Sequence, residues 1–171
     1  MKKNTLIFLG FILSIVFVSC NTGGLSGESE LFKKIVINED GHFRGVSIGD
    51  KIENVKTTEK ATLTDEDVDY LYYDISINDK DFYSIAYYFD ENGLYEIMAD
   101  MDFDTKEEVD ELVANFTEHF TKKYGKNSIE DDYSIWKTSS DASKQIEIAM
   151  TSNINESGGG YLSIAISDYA Y

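Results

Sequence analysis

The chain has 171 residues, and 32 acidic side chains against 15 basic ones give a formal charge of −17. A field of that sign argues against nucleic acid and against lying flat on an anionic membrane surface, and it favours a cationic partner. With 12 tyrosines and 10 phenylalanines the chain is too aromatic to stay disordered, and its length suits one domain with a sizeable core.

At the N-terminus, Lys2 and Lys3 give a positive start. Leu6 to Val18 is almost wholly apolar, and the small residue Ser19 precedes Cys20. This is the order of a signal peptide. The apolar run is shorter than the ~20 residues that cross a bilayer as a helix. Cys20 is the only cysteine, so it forms no internal disulfide. The stretch Ile15-Val16-Phe17-Val18-Ser19-Cys20 resembles a bacterial lipobox, with Phe17 where leucine is usual. The resemblance implies cleavage before Cys20, lipid on Cys20, and an exported protein anchored to a bacterial cell membrane. Plain secretion and a retained span are the alternatives. On the lipobox reading, residues 1–19 are a removed signal peptide. Residues 20–30 are the lipidated cysteine and a Gly/Ser-rich tether, and 31–171 form a single globular domain. Residues 1–19 carry two lysines and no acid, so their removal leaves 152 residues and a formal charge of −19.

The pattern from Leu31 to Asn38 predicts a first strand over Ile35-Val36-Ile37. Glu39-Asp40-Gly41 reads as a turn, and Phe43 to Ile48 alternates as a second short strand. A short helix or turn follows over Lys51 to Lys60. The phrase from Gly45 to Val55, GVSIGDKIENV, is similar to the opening of small lipoprotein domains of the SmpA/OmlA and β-lactamase-inhibitor-protein-like kind. The resemblance implies a strand handing over to a helix.

Period-two signals then predict three strands. Leu71, Tyr73, Ile75 and Ile77 face one way in the first, and the polar run Asn78-Asp79-Lys80-Asp81 turns the chain. Tyr83, Ile85, Tyr87 and Phe89 share a face in the second. Asp90-Glu91-Asn92-Gly93 reads as a hairpin turn. In the third, Tyr95, Ile97, Ala99, Met101 and Phe103 oppose a more polar set, which predicts a sheet with one wet face. Val109, Leu112, Val113, Phe116, Phe120 and Tyr124 form one stripe of a helix over Lys106 to Tyr124. Thr105 and Glu108 form a capping box, acids crowd its first turns, Lys122 and Lys123 close it, and Gly125 stops it. Three more strands follow in Tyr133 to Thr138, Ile146 to Met150 and Tyr161 to Ser167. The last buries Leu162, Ile164 and Ile166, and a long mobile connection spans Thr151 to Gly160. The fold class is α+β, an antiparallel sheet with helix 106–124 on a face; the order helix-strand-strand-strand occurs twice, which a tandem repeat or a chance succession of elements would equally give.

Catalytic chemistry has little support. Asp100, Asp102, Asp104 and Glu111 have part of a calcium-loop spacing, but Thr105 stands where glycine is needed and the context is strand into helix. Asp65, Asp67 and Asp69 alternate without glycine or a closing glutamate. His42 and His119 lack zinc-ligand spacing; the first falls in a turn, the second at the edge of the helix stripe, a half-buried surface position. Gly158-Gly159-Gly160 precedes a strand, the wrong context for a phosphate loop. We expect no cofactor, no metal and no catalytic residue. Tyr70, Tyr72 and Tyr88 fall opposite the apolar strand faces, where tyrosines offer large contact area at small entropic cost. They are the candidate binding residues. The resulting reading is a lipoprotein held to the membrane through Cys20, with a cationic protein partner at the cell envelope, of inhibitor (immunity) or assembly-accessory type. An envelope hydrolase, a calcium-dependent enzyme and a purely structural surface lipoprotein are the alternatives.

Overall fold

The computed structural model describes residues 28–78, 82–141 and 144–169. The predicted signal segment, Cys20 and most of the predicted tether lie outside them, as does most of the turn over Asn78-Asp79-Lys80-Asp81. The chain begins with α1 (Glu30–Val36) and α2 (Ile52–Thr58), followed by β1 (Thr62–Glu66), β2 (Tyr70–Ser76), β3 (Phe82–Asp90) and β4 (Gly93–Phe103). Then come α3 (Lys106–Tyr124), β5 (Ser128–Glu130), β6 (Tyr133–Asp141), β7 (Lys144–Ile154) and β8 (Gly160–Asp168). All strands join one antiparallel sheet of eight, in the order β1-β2-β3-β4-β8-β7-β6-β5.

This order makes the sheet from two like halves. Each is a helix followed by four strands. The first strand of each half lies at an outer edge, and the last strands, β4 and β8, meet at the centre in register from Glu96–Ser167 to Phe103–Gly160. The fold is α+β, with the long helix on the sheet. Each half has one strand more than the sequence pattern predicts. The extra strands, β1 and β5, are exposed along their whole length, so no buried face imposes alternation on them.

Helix α3 has the predicted bounds. The Thr105 hydroxyl accepts from the Glu108 amide at 3.3 Å and donates to the Glu108 carboxylate at 2.6 Å. Val109, Leu112, Phe116 and Phe120 are buried against the sheet. Phe120 packs on the only tryptophan, Trp136, at 5.3 Å between centroids, and the indole Nε1 donates to the Thr121 hydroxyl at 3.2 Å.

Three stretches depart from the sequence reading. The strand predicted over Ile35-Val36-Ile37 is the end of α1. Ser29 caps that helix through the Phe32 amide at 3.1 Å, and Phe32, Ile35 and Val36 recur at helical spacing on the buried side. Phe32 meets Phe116 of α3 edge-on at 4.8 Å, so tertiary burial overrides the β-branched local preference. The Ser29 amide also donates to Asn115 of α3 at 3.1 Å, so residues 28–30 of the predicted tether belong to the folded part.

The strand predicted over Phe43 to Ile48 is instead a tight turn. Phe43 bridges Val46, and the central residues Arg44 and Gly45 both have positive φ, 53° and 85°, as a type I′ turn requires. A Cβ at Gly45 would lie 2.7 Å from the Asn38 side chain. The connection after Thr151 is also not a long loop. β7 runs on to Ile154, paired with Gly160, and only 155–159 turn, closed by the Asn155 amide on the Gly159 carbonyl at 2.8 Å.

Candidate functional site: a tyrosine corner on an open acidic sheet face

The buried residues of all three helices join one core with the inward side chains of the strands. The other face of the sheet, the wet face predicted from β4, carries mostly exposed and partly buried side chains, and no described helix contributes to it. Pairing places its side chains in rows that cross the sheet. One row reads Tyr72, Ala86, Met98, Ala165, Ala149, Ile135. The row beside it reads Tyr70, Tyr88, Glu96, Ser167, Glu147, Lys137. On the other side run Asp74, Ser84, Asp100, Ser163 and Thr151. A strip of small and apolar side chains thus lies between two polar margins whose charged residues are Glu96, Glu147, Asp74 and Asp100 against the single cation Lys137.

The three candidate tyrosines come together at one end of this face. Tyr70 pairs across strands with Tyr88. The rings of Tyr70 and Tyr72 are 5.1 Å apart, and those of Tyr72 and Tyr88 stand nearly perpendicular, 89°, at 6.0 Å. The Tyr72 and Tyr88 hydroxyls share a hydrogen bond of 2.6 Å. The Tyr70 hydroxyl donates to the Asp65 carboxylate at 3.1 Å. The Tyr72 hydrogen bond, with some burial, pushes Tyr88 up to about 12. The hydrogen bond to Asp65 raises Tyr70. Both phenols are therefore neutral at ordinary pH.

A fourth tyrosine, Tyr95, joins them, 6.4 Å from Tyr88 with the rings tilted 33°. Simple alternation puts Tyr95 on the buried face with Ile97. The pairing shows why it is not there. Tyr88 opposes Glu96 while Phe89 opposes Leu94, so Tyr95 is the additional residue of a β-bulge. The bulge turns Leu94 into the core, 2 % exposed, and leaves Tyr95 38 % exposed. The break in alternation at Gly93-Leu94 is the signal in the sequence that marks it.

At the far end of the same row, Lys137 lies 3.2 Å from Glu147 and 3.8 Å from Glu130, with its ammonium 5.6 Å from the ring centre of Tyr169. The Glu147 carboxylate raises its pKa, with Glu130 adding to the effect.

The acids with partial calcium-loop spacing do not converge. Asp100 and Asp102 lie on the open face in β4, where Asp100 accepts from the Ser163 hydroxyl at 2.6 Å. Glu111 stands on α3, across the sheet. Asp65 is in β1, and Asp67 and Asp69 are in the turn that follows it. Among the described residues no three His, Cys, Asp or Glu side chains are grouped to hold a metal. The His42 Nδ1 accepts from the Ile48 amide at 2.9 Å, a turn contact. His119 is more buried than its place on the helix stripe suggests. It packs on Phe32 and Phe120, with Nδ1 3.9 Å from the Glu28 carboxylate, beside a cavity of about 300 Å³ lined also by Glu39, Asp40, Lys122 and Lys123. Burial, aided by the two lysines, lowers its pKa to about 4.

Among the described residues the buried charges are Arg44 and Glu59, which form an ion pair that the sequence pattern does not show. The Arg44 guanidinium also donates to the Ile35 carbonyl and, at 2.7 Å, to the Tyr83 hydroxyl. Glu59 further accepts from Tyr87 at 2.7 Å and from the amides of Lys60 and Ala61 at 2.7 and 2.8 Å. This satisfied network fastens the α1–α2 segment to the sheet and faces away from the open side.

The chain matches no protein-family profile, and no curated protein or solved structure matches it significantly. No helix among the described residues is long and apolar enough to cross a membrane.

Proposed function

We propose that this protein is a lipid-anchored, non-catalytic binding module of a bacterial cell envelope, and that its open sheet face docks a cationic protein partner. Lipid on Cys20 holds the domain at the membrane, as the lipobox-like stretch implies. The observation that carries the binding reading is the open face itself, one whole side of an eight-stranded sheet. Exposed surfaces of this breadth that combine aromatic and small side chains mark interaction sites. The charge specifies the partner. Asp65, Asp74, Glu96, Asp100, Asp102 and Glu147 lie on the face, and Lys137 is the one cation placed there by the described pairings. Two copies stacked through this face would oppose carboxylate to carboxylate, so the charge disfavours self-association and steers a basic partner. A toxin or enzyme neutralised at the envelope, or a component of an envelope assembly machine, fits that description.

The test is capture from envelope extract at low salt with the full-length chain in neutral detergent. Reversing charge on the face (Asp74→Lys, Glu96→Lys) abolishes capture of the partner. Neutralising exposed acids of α3 (Glu107→Gln, Glu111→Gln) leaves it intact. Equal capture by both variants contradicts the assignment of the face.

A further inference from the structure

The tyrosine corner is an aromatic site bordered by carboxylates that no cation pairs with among the described residues. Tyr72 and Tyr88 stand as two walls near a right angle, tied at their hydroxyls, and Tyr95 extends the second wall. Asp65 and Glu96 border it; among the described residues neither takes part in an ion pair. Lys137 is in the same row but three strands beyond Glu96, about 14 Å away at ordinary strand spacing. The other end of the row shows how this face holds a cation. There the Lys137 ammonium lies over a tyrosine ring with two carboxylates beside it. The corner repeats the rings and the carboxylates, and among the described residues no positive group is paired with them.

We propose, resting on the reading of the open face as a docking surface, that this corner is the subsite for an arginine side chain of the partner, its guanidinium lying against Tyr72, Tyr88 and Tyr95 with Glu96 as the adjacent counter-charge, while Asp65, three strands from Glu96 and behind Tyr70, adds only its longer-range field. An anionic group is repelled by the carboxylates, and an apolar one leaves them without compensation. Between the two common cations, the planar guanidinium stacks on tilted rings and offers a fork of donors to carboxylate and phenol oxygens. An ammonium is a compact, strongly hydrated point charge.

The experiment is an NMR titration of the full-length chain in neutral detergent, with ring-labelled tyrosine. The probes are N-acetyl-arginine amide, N-acetyl-lysine amide and the neutral N-acetyl-glutamine amide. The arginine probe shifts the ring signals of Tyr72, Tyr88 and Tyr95 saturably, binds about threefold tighter than the lysine probe, and the glutamine probe shifts none of them. Glu96→Gln, at a half-buried strand position where the fold is kept, weakens the arginine response about threefold. Equal responses to arginine and lysine, shifts spread over all surface tyrosines, or no shift overturn the subsite. If the arginine response is absent while low-salt capture still depends on Asp74 and Glu96, the subsite fails and the docking face stands. If the arginine response is present and no partner is captured, the subsite stands and the broader reading fails.

Discussion

Arg44 and Glu59 face each other fork to fork inside the protein, 2.9 Å from Nε to Oε2 and 2.7 Å from Nη2 to Oε1, with side chains only 3 % and 0 % exposed. Removing one partner strands the other. Arg44→Ala should cost about 3–5 kcal/mol, and the isosteric pair Arg44→Met with Glu59→Leu much less, because the penalty is that of an uncompensated buried charge. Urea unfolding followed by emission of the single buried Trp136 measures both. Additive losses in the double variant would contradict this account.

The acid limb of stability should begin with His119. Its folded pKa, about 4, lies below the value near 6.5 of an unfolded histidine. The unfolded chain therefore takes up a proton first, so stability is full above pH 6.5 and falls as pH drops toward 4, by about 3 kcal/mol for this shift. Glu59 acts lower. Burial would raise its pKa, but the Arg44 hydrogen bonds and charge override burial and lower it, so its contribution is lost below the ordinary carboxylate range. Glu28 works in the opposite sense, since burial raises its pKa and its contribution is lost as pH rises through that value. His119→Phe should flatten the curve between pH 6.5 and 4, whereas an unchanged slope would mean another group titrates.

The bulge in β4 makes neighbouring residues unequal in a way that alternation reverses. Leu94→Ala should cost about 2–5 kcal/mol, as for a buried leucine. Tyr95→Ser should stay within about 1 kcal/mol, because much of that ring is exposed. Thermal or urea unfolding of the two variants decides the register. The opposite ranking would place Tyr95 in the core.

Lipidation predicts that the chain partitions with membranes and incorporates labelled palmitate, and that Cys20→Ser abolishes the incorporation. A wild-type chain that carries no label would remove the anchor from the account.

Much of this architecture can be read from local patterns. Thr105, Glu108 and Gly125 bracket α3 because caps are local chemistry. Leu71, Tyr73, Ile85, Tyr87, Leu162 and Ile164 betray their strands because each strand has one buried face. Tyr70, Tyr72 and Tyr88 could be picked out by the same parity, and the pairing of β2 with β3 brings them together. What stays hidden depends on distant partners. α1 reads as a strand until Phe116 is there to cover Phe32. β1 and β5 have no buried face to pattern them. Arg44 and Glu59 are 15 residues apart and meet only once the Arg44-Gly45 turn forms. Tyr95 reaches the open face through a single additional residue in the ladder.

The most direct test of the central claim is the salt dependence of partner capture, comparing the wild-type chain with a variant whose face is neutralised at Asp74→Asn, Glu96→Gln and Asp100→Asn. Capture by the wild type should fall steeply as salt screens the exposed charges. The neutralised variant should bind more weakly at low salt and respond little to added salt. Capture that is salt-independent, or the same for both proteins, would contradict an acidic sheet face as the docking surface.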